Sequence, residues 1–362
     1  MELELLESED EIRHLVEHCQ TCDWISIDTE FMRYRTYYPV LCLIQLHSTF
    51  GTFGIDALRI KNIQVLNKLF KRKETTVIMH ACDQDLEALS RRAKFQLNGL
   101  FDTQIAAAFC GYTETVGYSS IVYELCGVVL EKDQTKSDWS NRPLTHRQLE
   151  YAKNDVLYLD NVRKILESRM EQSGKLEWFL QDCREIAKLA LFPVSPEHVY
   201  PNFSNIDVPN DARGIARELI IWRERQAQMR DRPRKWILSN QAIVDLCHRR
   251  PKKFNQLWHI SSLSKNTIKS IGPVLIEMIR KHEEEHNNTN IPEAIQLDEQ
   301  FKKSVKEAKK MVHSIAREQG ISHRLLGSRK DVELLIRGES KSKLMKGWRY
   351  DLIGKAMKDR FG

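Results

Sequence analysis

Five side chains that could perform chemistry lie in three short segments of the chain. Asp28 and Glu30 stand in an apolar run that predicts a strand, so both side chains leave the same face. Tyr151 and Asp155 are four residues apart in a helical stretch and also share a face. Asp85 follows a second apolar run, close to a predicted helix start. These local patterns aim the five side chains at one point.

Clustered carboxylates repel each other and raise one another's pKa, so gathering them costs free energy unless a cation is supplied. Hard divalent ions such as Mg²⁺ or Mn²⁺ prefer oxygen ligands and keep several waters. Two such ions roughly 3.5 to 4 Å apart can stabilise both the attacking and the leaving oxygen of a phosphodiester displacement. The constellation therefore suggests phosphodiester hydrolysis.

At these residues the chain resembles the DEDD exonucleases, in the subgroup whose third motif carries tyrosine, and within that subgroup the ribonuclease D family. The resemblance implies a ribonuclease H-like fold, two divalent metal ions (Mg²⁺ or Mn²⁺) and removal of nucleoside 5′-monophosphates from RNA 3′ ends. Flanking segments 35–39 and 138–145 agree with it. The motifs that carry the resemblance are Asp28 to Phe31, His80 to Leu86, Phe101 to Gln104 and Tyr151 to Leu159.

The resemblance also implies roles for the individual carboxylates. Asp28 would bridge the two ions, Glu30 and Asp155 would complete the site of the nucleophile-activating ion, and Asp85 would reach the other ion through water. A hydroxyl at Tyr151 would orient the attacking water. An acidic residue in the first helical turn is favoured by the helix dipole whatever its function, so Asp85 also has a purely structural explanation.

Residues that flank the motifs are predicted to contact substrate or to stabilise the fold. Phe31, Met32 and His80 flank the carboxylates and could contact the terminal nucleotides, as aromatic side chains do with single strands, although Phe31 could equally belong to the core. We expect Asp83 to cap a helix and Asp102 to be structural.

Length and composition indicate several domains. A chain of 362 residues exceeds one typical domain of about 100 to 200 residues. We predict an exonuclease domain at 1–190, a proline-rich linker at 191–210, an HRDC domain at 211–285 and a second small helical, HRDC-type domain at 291–362. A polar second linker is expected over 282–290. The fold class is therefore α/β plus all-α.

Within the first domain, a strand at 24–31 is followed by two antiparallel neighbours, at 40–46 and 51–56. The alternation continues with a strand at 77–80, a helix at 83–93 and a short strand at 100–102. A mixed sheet covered by helices follows from this order. Further helices are predicted at 103–110, 118–126 and 145–170, and residues beyond 211 are expected to be helical only.

Charge is divided unequally along the chain. Residues 1–200 hold 23 Lys and Arg against 30 Asp and Glu, whereas residues 201–362 hold 33 against 20. An acidic, metal-seeking half joined to a basic half suggests a nuclease with a grip on the phosphate backbone. The alternative is that the lysines only solvate helices.

Scattered cysteines, an acidic start without a signal pattern and the lack of a long apolar stretch predict a cytoplasmic protein that does not enter membranes. We expect a monomeric 3′-5′ exoribonuclease that trims structured RNAs such as tRNA precursors. The alternatives are a DNA 3′-5′ exonuclease of the same family and an inactive nucleic-acid-binding protein. No phosphate loop is present, so the chain is not a helicase of that type.

Overall fold

The structure is a computed structural model that describes residues 2–93, 95–131, 134, 137–189, 195–199, 206–287 and 299–361. It contains two compact units. Unit 1 comprises residues 1–32, 40–192 and 297–362, and unit 2 comprises residues 33–39 and 193–296. The last segment of the chain therefore belongs to the same unit as the first.

A six-stranded mixed sheet forms the centre of unit 1, in the order β1-β4-β3-β2-β5-β6. The β2–β3 and β3–β4 pairs are antiparallel and the other pairs are parallel, which confirms the predicted mixed sheet. The first strand was not predicted, because three residues are too few to show an alternating pattern. The strands are β1 (Glu4–Leu6), β2 (Trp24–Met32), β3 (Val40–Ser48), β4 (Gly51–Asp56), β5 (Thr76–Met79) and β6 (Leu100–Asp102).

Helices cover this sheet, and those predicted near 83–93, 103–110 and 118–126 are confirmed. The segments up to residue 189 are α1 (Glu9–Cys19), α2 (Asn67–Phe70), α3 (Asp83–Arg92), α4 (Thr103–Phe109), α5 (Tyr118–Cys126), α6 (His146–Leu157), α7 (Leu159–Gln172) and α8 (Leu176–Leu189).

The single helix predicted over 145–170 is wrong, because the chain breaks at Tyr158 into α6 and α7. The hydroxyl of Tyr118 stands where the helical hydrogen bond between residues 154 and 158 would form. It donates to the Asn154 carbonyl at 3.0 Å and accepts from the Tyr158 amide at 3.2 Å. A side chain inserted into the hydrogen-bond ladder is a recognised cause of helix bending.

Unit 2 is helical, with α9 (Pro196–Val199), α10 (Arg213–Arg230), α11 (Arg234–Ile237), α12 (Asn240–Arg249) and α13 (Lys265–Asn287). Part of the predicted linker 191–210 lies outside the described residues, namely 191–194 and 200–205. The predicted second linker is wrong over 282–287, because α13 continues to Asn287 and its His282 is buried against Glu218 at 2.8 Å. Residues 288–290 of that linker, like 291–298 of the predicted last domain, lie outside the described residues.

The segment 33–39 belongs to unit 2 through a polar cluster. The hydroxyl of Tyr37 donates to the buried carboxylate of Glu224, which Arg234 also contacts at 2.6 Å. The Asp231 side chain accepts hydrogen bonds from the backbone amides of Tyr37 and Tyr38, both at 3.0 Å. Glu224, Asp231 and Arg234 therefore hold this short segment beside α10 and α11.

After residue 298 the chain returns to unit 1 and shares its hydrophobic core. Trp348 stacks on Trp178 of α8, with ring centroids 4.9 Å apart and an interplanar angle of 8°, and lies 5.4 Å from Phe109. Arg349 forms a bidentate ion pair with Asp182, at 2.7 and 2.6 Å. The helices of this segment are α14 (Glu299–Glu318), α15 (His323–Leu326), α16 (Arg329–Ile336), α17 (Gly347–Arg349) and α18 (Lys355–Phe361). No helix among the described residues is both long and apolar enough to cross a membrane.

Candidate active site

Two of the candidate carboxylates lie on β2, which has neighbours on both sides in the sheet. Asp28 lies opposite Gln45 of β3, and Glu30 lies opposite Leu43. Ile25 and Ile27, which precede both acids in the strand, are fully buried, so the strand is fixed by its apolar residues. The strand predicted from the sequence therefore holds both acids on one face, as expected for residues two apart.

Asp85 lies in the first turn of α3, as the sequence predicted, and is buried. The Thr29 hydroxyl, between the two acids of β2, donates to its Oδ1 at 2.5 Å. The second predicted motif is thus joined to the first by a hydrogen bond. Asp83 does not cap the helix, because Cys82 occupies the cap position and Asp83 is the first helical residue, so that expectation was wrong.

The turn before α3 is held by Asp102. Its carboxylate accepts hydrogen bonds from the amides of Ala81 and Cys82 at 3.2 and 2.8 Å, and from those of Gln104 and Ile105 at 2.8 and 3.1 Å. Ala81 has φ of 55°, a left-handed conformation that costs free energy for a residue with a Cβ. Asp102 stabilises that turn and caps α4, which confirms its structural role.

Tyr151 and Asp155 share a face of α6, as predicted. The Tyr151 hydroxyl hydrogen-bonds to the Asp155 carboxylate. Burial raises the pKa of this acid, and the hydrogen bond offsets part of that rise. The ring of Tyr151 lies 6.1 Å from that of Trp139, which is buried. Asp155 is followed within one turn by the helix break, so the inserted Tyr118 hydroxyl helps to fix the end of the helix that carries it.

These elements enclose a small cavity of about 170 Å³. Tyr118 and Leu159 line it although neither was singled out from the sequence, because nothing in their local pattern distinguishes them from core residues. Phe31 and Met32, predicted to contact substrate, are not among the lining residues and pack against apolar clusters. The lining residues are Asp28, Glu30, His80, Tyr118, Tyr151, Asp155 and Leu159.

His80 lines the cavity, but both of its ring nitrogens are engaged. Nε2 donates to the Val116 carbonyl at 3.0 Å, and Nδ1 lies 2.9 Å from the Thr103 hydroxyl. Burial lowers the pKa of the ring, so the imidazole is neutral near pH 7. Its ring lies 5.7 Å from that of Tyr118. His80 therefore presents a fixed, uncharged ring edge to the cavity.

Burial and neighbouring charges raise the pKa values of all four acids. Burial, followed by the charges of Asp85, Asp155 and Glu30, raises the pKa of Asp28 well above its usual value. Burial and then Asp155 and Asp85 raise the pKa of Glu30 to about 9. Burial is also the largest cause that raises the pKa values of Asp85 and Asp155 to about 7. Without a cation, the site retains protons at neutral pH.

The four acids offer only oxygen donors, which are the ligands that hard divalent cations prefer. Such a cation would replace the protons that the acids retain. Within the described residues, no three His, Cys, Asp or Glu side chains are already gathered in an arrangement that could hold a metal ion. The donor chemistry thus fits a hard metal ion, and the carboxylates would have to converge on it.

Comparisons with known proteins give a consistent family assignment. Three family models match in chain order: a 3′-5′ exonuclease at residues 3–171, an HRDC domain at 212–279 and the ribonuclease D C-terminal HRDC domain at 300–357. Ribonuclease D of Escherichia coli is 30% identical over 99% of this chain and 98% of its own length. That of Pseudomonas paraeruginosa is 30% identical over 95% of this chain and 94% of its own.

A solved structure agrees along the whole length. The crystal structure of Escherichia coli RNase D, described as an exoribonuclease involved in structured RNA processing, matches with a TM-score of 0.86 and 29% identity. The match covers 99% of this chain and 98% of that one.

Proposed function

Because the chain belongs to the ribonuclease D family of 3′-5′ exoribonucleases, we propose that the 170 Å³ cavity beside Asp28 is its catalytic centre. The observation that carries the proposal is that β2 and α6 bring Asp28, Glu30, Tyr151 and Asp155 to one cavity. Asp85 of α3 is joined to β2 through Thr29, and the pKa values of all four acids are raised. The reaction is stepwise hydrolysis of RNA from its 3′ end with release of nucleoside 5′-monophosphates.

The DEDD exonucleases are metal-dependent, and the proposed ligands here are Asp28, Glu30, Asp85 and Asp155. Two ions, Mg²⁺ or Mn²⁺, are proposed, and these four carboxylates would hold them. When bound, such ions supply a nucleophile at neutral pH and stabilise charge on the attacking and leaving oxygens. The protein's part is to hold four carboxylates in a partly buried site, where charge interactions are stronger than in water.

Tyr151 is proposed to act by positioning. Its hydroxyl contacts Asp155 and also faces the cavity, so it can hold that carboxylate and a water in one hydrogen-bonded arrangement. A phenol of ordinary pKa near 10 stays protonated at neutral pH and is therefore a donor and not a base.

The side of the cavity lined by His80 is proposed to receive the terminal nucleotides. His80 offers a neutral ring, and Phe31 and Met32 lie at the end of β2 beyond Glu30, so they would meet RNA outside the cavity. We propose tRNA precursors and other small structured RNAs as substrates. A supporting observation is the net charge of +13 in residues 201–362, because a strongly positive region binds the phosphates of a folded RNA.

We also propose that the exonuclease domain (1–190) and the two HRDC-type domains (211–285 and 291–362) work as a monomer in the cytoplasm. All eight cysteines are free thiols, as expected in a reducing compartment. Light scattering of the purified protein tests the monomer, and a mass above that of one chain would contradict it.

The function is tested by following 5′-labelled RNA and matched DNA, each with a free or a blocked 3′ end, in Mg²⁺, Mn²⁺ or chelator. We expect a metal-dependent ladder only from RNA with a free 3′ end. Asp28→Asn should lower the rate by more than about 10²-fold, because it removes a charge from the metal-binding set. The matched control is Asp83→Asn, an exposed acid two residues from Asp85, which should leave the rate unchanged.

Other outcomes separate the alternatives. Equal cleavage of DNA would keep the carboxylate chemistry and overturn the RNA assignment. Binding of RNA without any ladder would identify an inactive binding protein.

A further inference from the structure

Most of the net positive charge in the second half of the chain belongs to its last segment. Residues 297–362 hold 17 Lys and Arg against 9 Asp and Glu, whereas residues 193–296 hold 16 against 12. The balance is +8 in 66 residues of unit 1, against +4 in 104 residues of unit 2. The larger basic excess is therefore built on the same compact unit as the candidate active site.

Helix α14 presents much of this charge on one side. At 100° per residue, its basic side chains fall within an arc of about 120° and extend over about 22 Å of helix. Val305, Ala308, Val312 and Ala316 on another side are buried in the core of unit 1. The α14 basic stripe consists of Lys302, Lys303, Lys306, Lys309, Lys310, His313 and Arg317.

The stripe borders one concave site. A surface cavity of about 220 Å³ lies between α14 and α16 and is lined by Lys302, Lys306 and Lys309 of the stripe and by Arg329 and Glu333. The other stripe residues lie on the exposed outer face of α14. A concave site that holds three stripe lysines distinguishes this face from an ordinary solvated one.

The charges of the stripe are largely uncompensated. Lys302 pairs with Glu299 at 2.9 Å, but the other four lysines and Arg317 form no ion pair with any described residue. Glu307, the acid in the middle of α14, faces Arg360 at 3.8 Å. Like charges three and four residues apart destabilise a helix, so this arrangement costs folding free energy that an anionic ligand would recover.

Two stacked histidine rings, those of His313 and His323, lie beside the lysines of the stripe. The His313 ring stacks on that of His323, with centroids 4.2 Å apart and an interplanar angle of 25°. Burial, followed by the neighbouring charges of His323, Lys309 and Arg317, lowers the pKa of His313. A neutral stacked ring beside ammonium groups suits a nucleotide, whose base can stack while its phosphate meets the lysines.

We propose that the α14 basic stripe and the cavity beside it bind successive phosphates of the substrate RNA, at a site separate from the catalytic cavity. The site holds the body of the RNA while its 3′ end is hydrolysed. Lysine ammonium groups are mobile point charges, so the contacts fix the backbone and do not read sequence. This inference rests on the proposed function, because it assumes that RNA is the substrate.

The test compares Lys306→Glu/Lys309→Glu/Lys310→Glu with Lys68→Glu/Lys71→Glu/Lys73→Glu, exposed lysines elsewhere in unit 1 that give the same change in net charge. Binding is measured in the Asp28→Asn background by fluorescence anisotropy at several salt concentrations. Removing three phosphate contacts should reduce the slope of log K against log salt by about 2 and weaken binding at least about tenfold. The control triple variant should change neither quantity by a comparable amount.

Cleavage adds a second readout. The α14 variant should hydrolyse an RNA of about four nucleotides at the wild-type rate, because so short a chain occupies only the catalytic cavity. For a structured RNA of about 40 nucleotides we expect a KM at least about tenfold higher with little change in kcat. Glutamine at the same three positions should give the same pattern more weakly, and equal circular dichroism spectra exclude misfolding.

Three results would overturn the inference: an unchanged salt slope, an equal loss in the control triple variant, or an equal loss on short and long RNA. Each of these leaves the exonuclease assignment intact as long as the wild type cleaves RNA. If the wild type cleaves neither RNA, the proposed function itself fails.

Discussion

The raised pKa values of the acids at the proposed catalytic cavity predict that neutralising Glu30 stabilises the metal-free protein. Burial and the neighbouring acids raise the pKa of Glu30 from 4.5 to about 9. The folded state therefore keeps a proton that the unfolded state releases above pH 4.5. Stability from this group is complete below pH 4.5 and is lost as the pH rises towards 9. Glu30→Gln, which is uncharged in both states, removes that loss.

The magnitude follows from the linkage relation. One pH unit corresponds to about 1.36 kcal/mol per proton, so the wild type should lose up to about 2.7 kcal/mol relative to Glu30→Gln between pH 6 and pH 8. Because the four acids titrate together, we expect a measured difference of about 1 to 2.7 kcal/mol. Saturating Mg²⁺ or Mn²⁺ should reverse the sign, since only the wild type retains the full set of ligands.

The assay is urea unfolding in chelator, followed by tryptophan fluorescence at both pH values. The contribution of unit 2 to the free energy of unfolding is the same in both proteins, because the substitution lies in unit 1. It therefore cancels when the variant is compared with the wild type. Glu124→Gln, at an exposed acid of α5, serves as the control and should show no pH-dependent difference. A Glu30→Gln variant whose advantage does not grow from pH 6 to pH 8 would refute the reasoning.

Three further predictions follow from single contacts. Tyr151→Phe should lower kcat about 10- to 100-fold while leaving thermal unfolding unchanged. The lost hydrogen bond no longer offsets the raised pKa of Asp155, so the acidic limb of the pH–rate profile should move to higher pH. Unchanged single-turnover rates would remove the tyrosine from the mechanism. Trp348→Ala should cost about 3 to 5 kcal/mol in urea unfolding, since the ring is buried and stacked, and a loss below about 1 kcal/mol would contradict the shared core. Asp102→Ala removes the acceptor of four backbone amides and should cost about 2 to 4 kcal/mol by the same assay, with an unchanged unfolding midpoint as the contrary result.

Local periodicity was sufficient to predict the elements that carry the acids. Strand and helix spacing placed Asp28 with Glu30 and Tyr151 with Asp155, and the fold confirmed both pairs. The break after α6 could not be predicted, because its cause is the hydroxyl of Tyr118, 40 residues away from Tyr158 in the chain.

The remaining misses also arise from tertiary contacts. The polar run after residue 281 resembles a linker, yet burial of His282 against Glu218 keeps it helical as far as Asn287. Likewise, nothing in the local pattern around Trp348 indicates that its partner is Trp178. Sequence periodicity reports which face of an element is buried, and it does not report against what.

The stacking of Trp348 on Trp178 has a consequence for synthesis of the protein on the ribosome. The surface of α8 is complete once residue 189 has emerged, but the residues that cover it come from the last helices of the chain. At 5 to 20 residues per second, the intervening stretch takes roughly 10 to 30 s to translate. During that interval the nascent nuclease exposes an apolar patch with the unpaired acid Asp182 beside it. A prematurely terminated chain would keep that patch, and we expect such fragments to be substrates for chaperones and proteases before they could act on RNA.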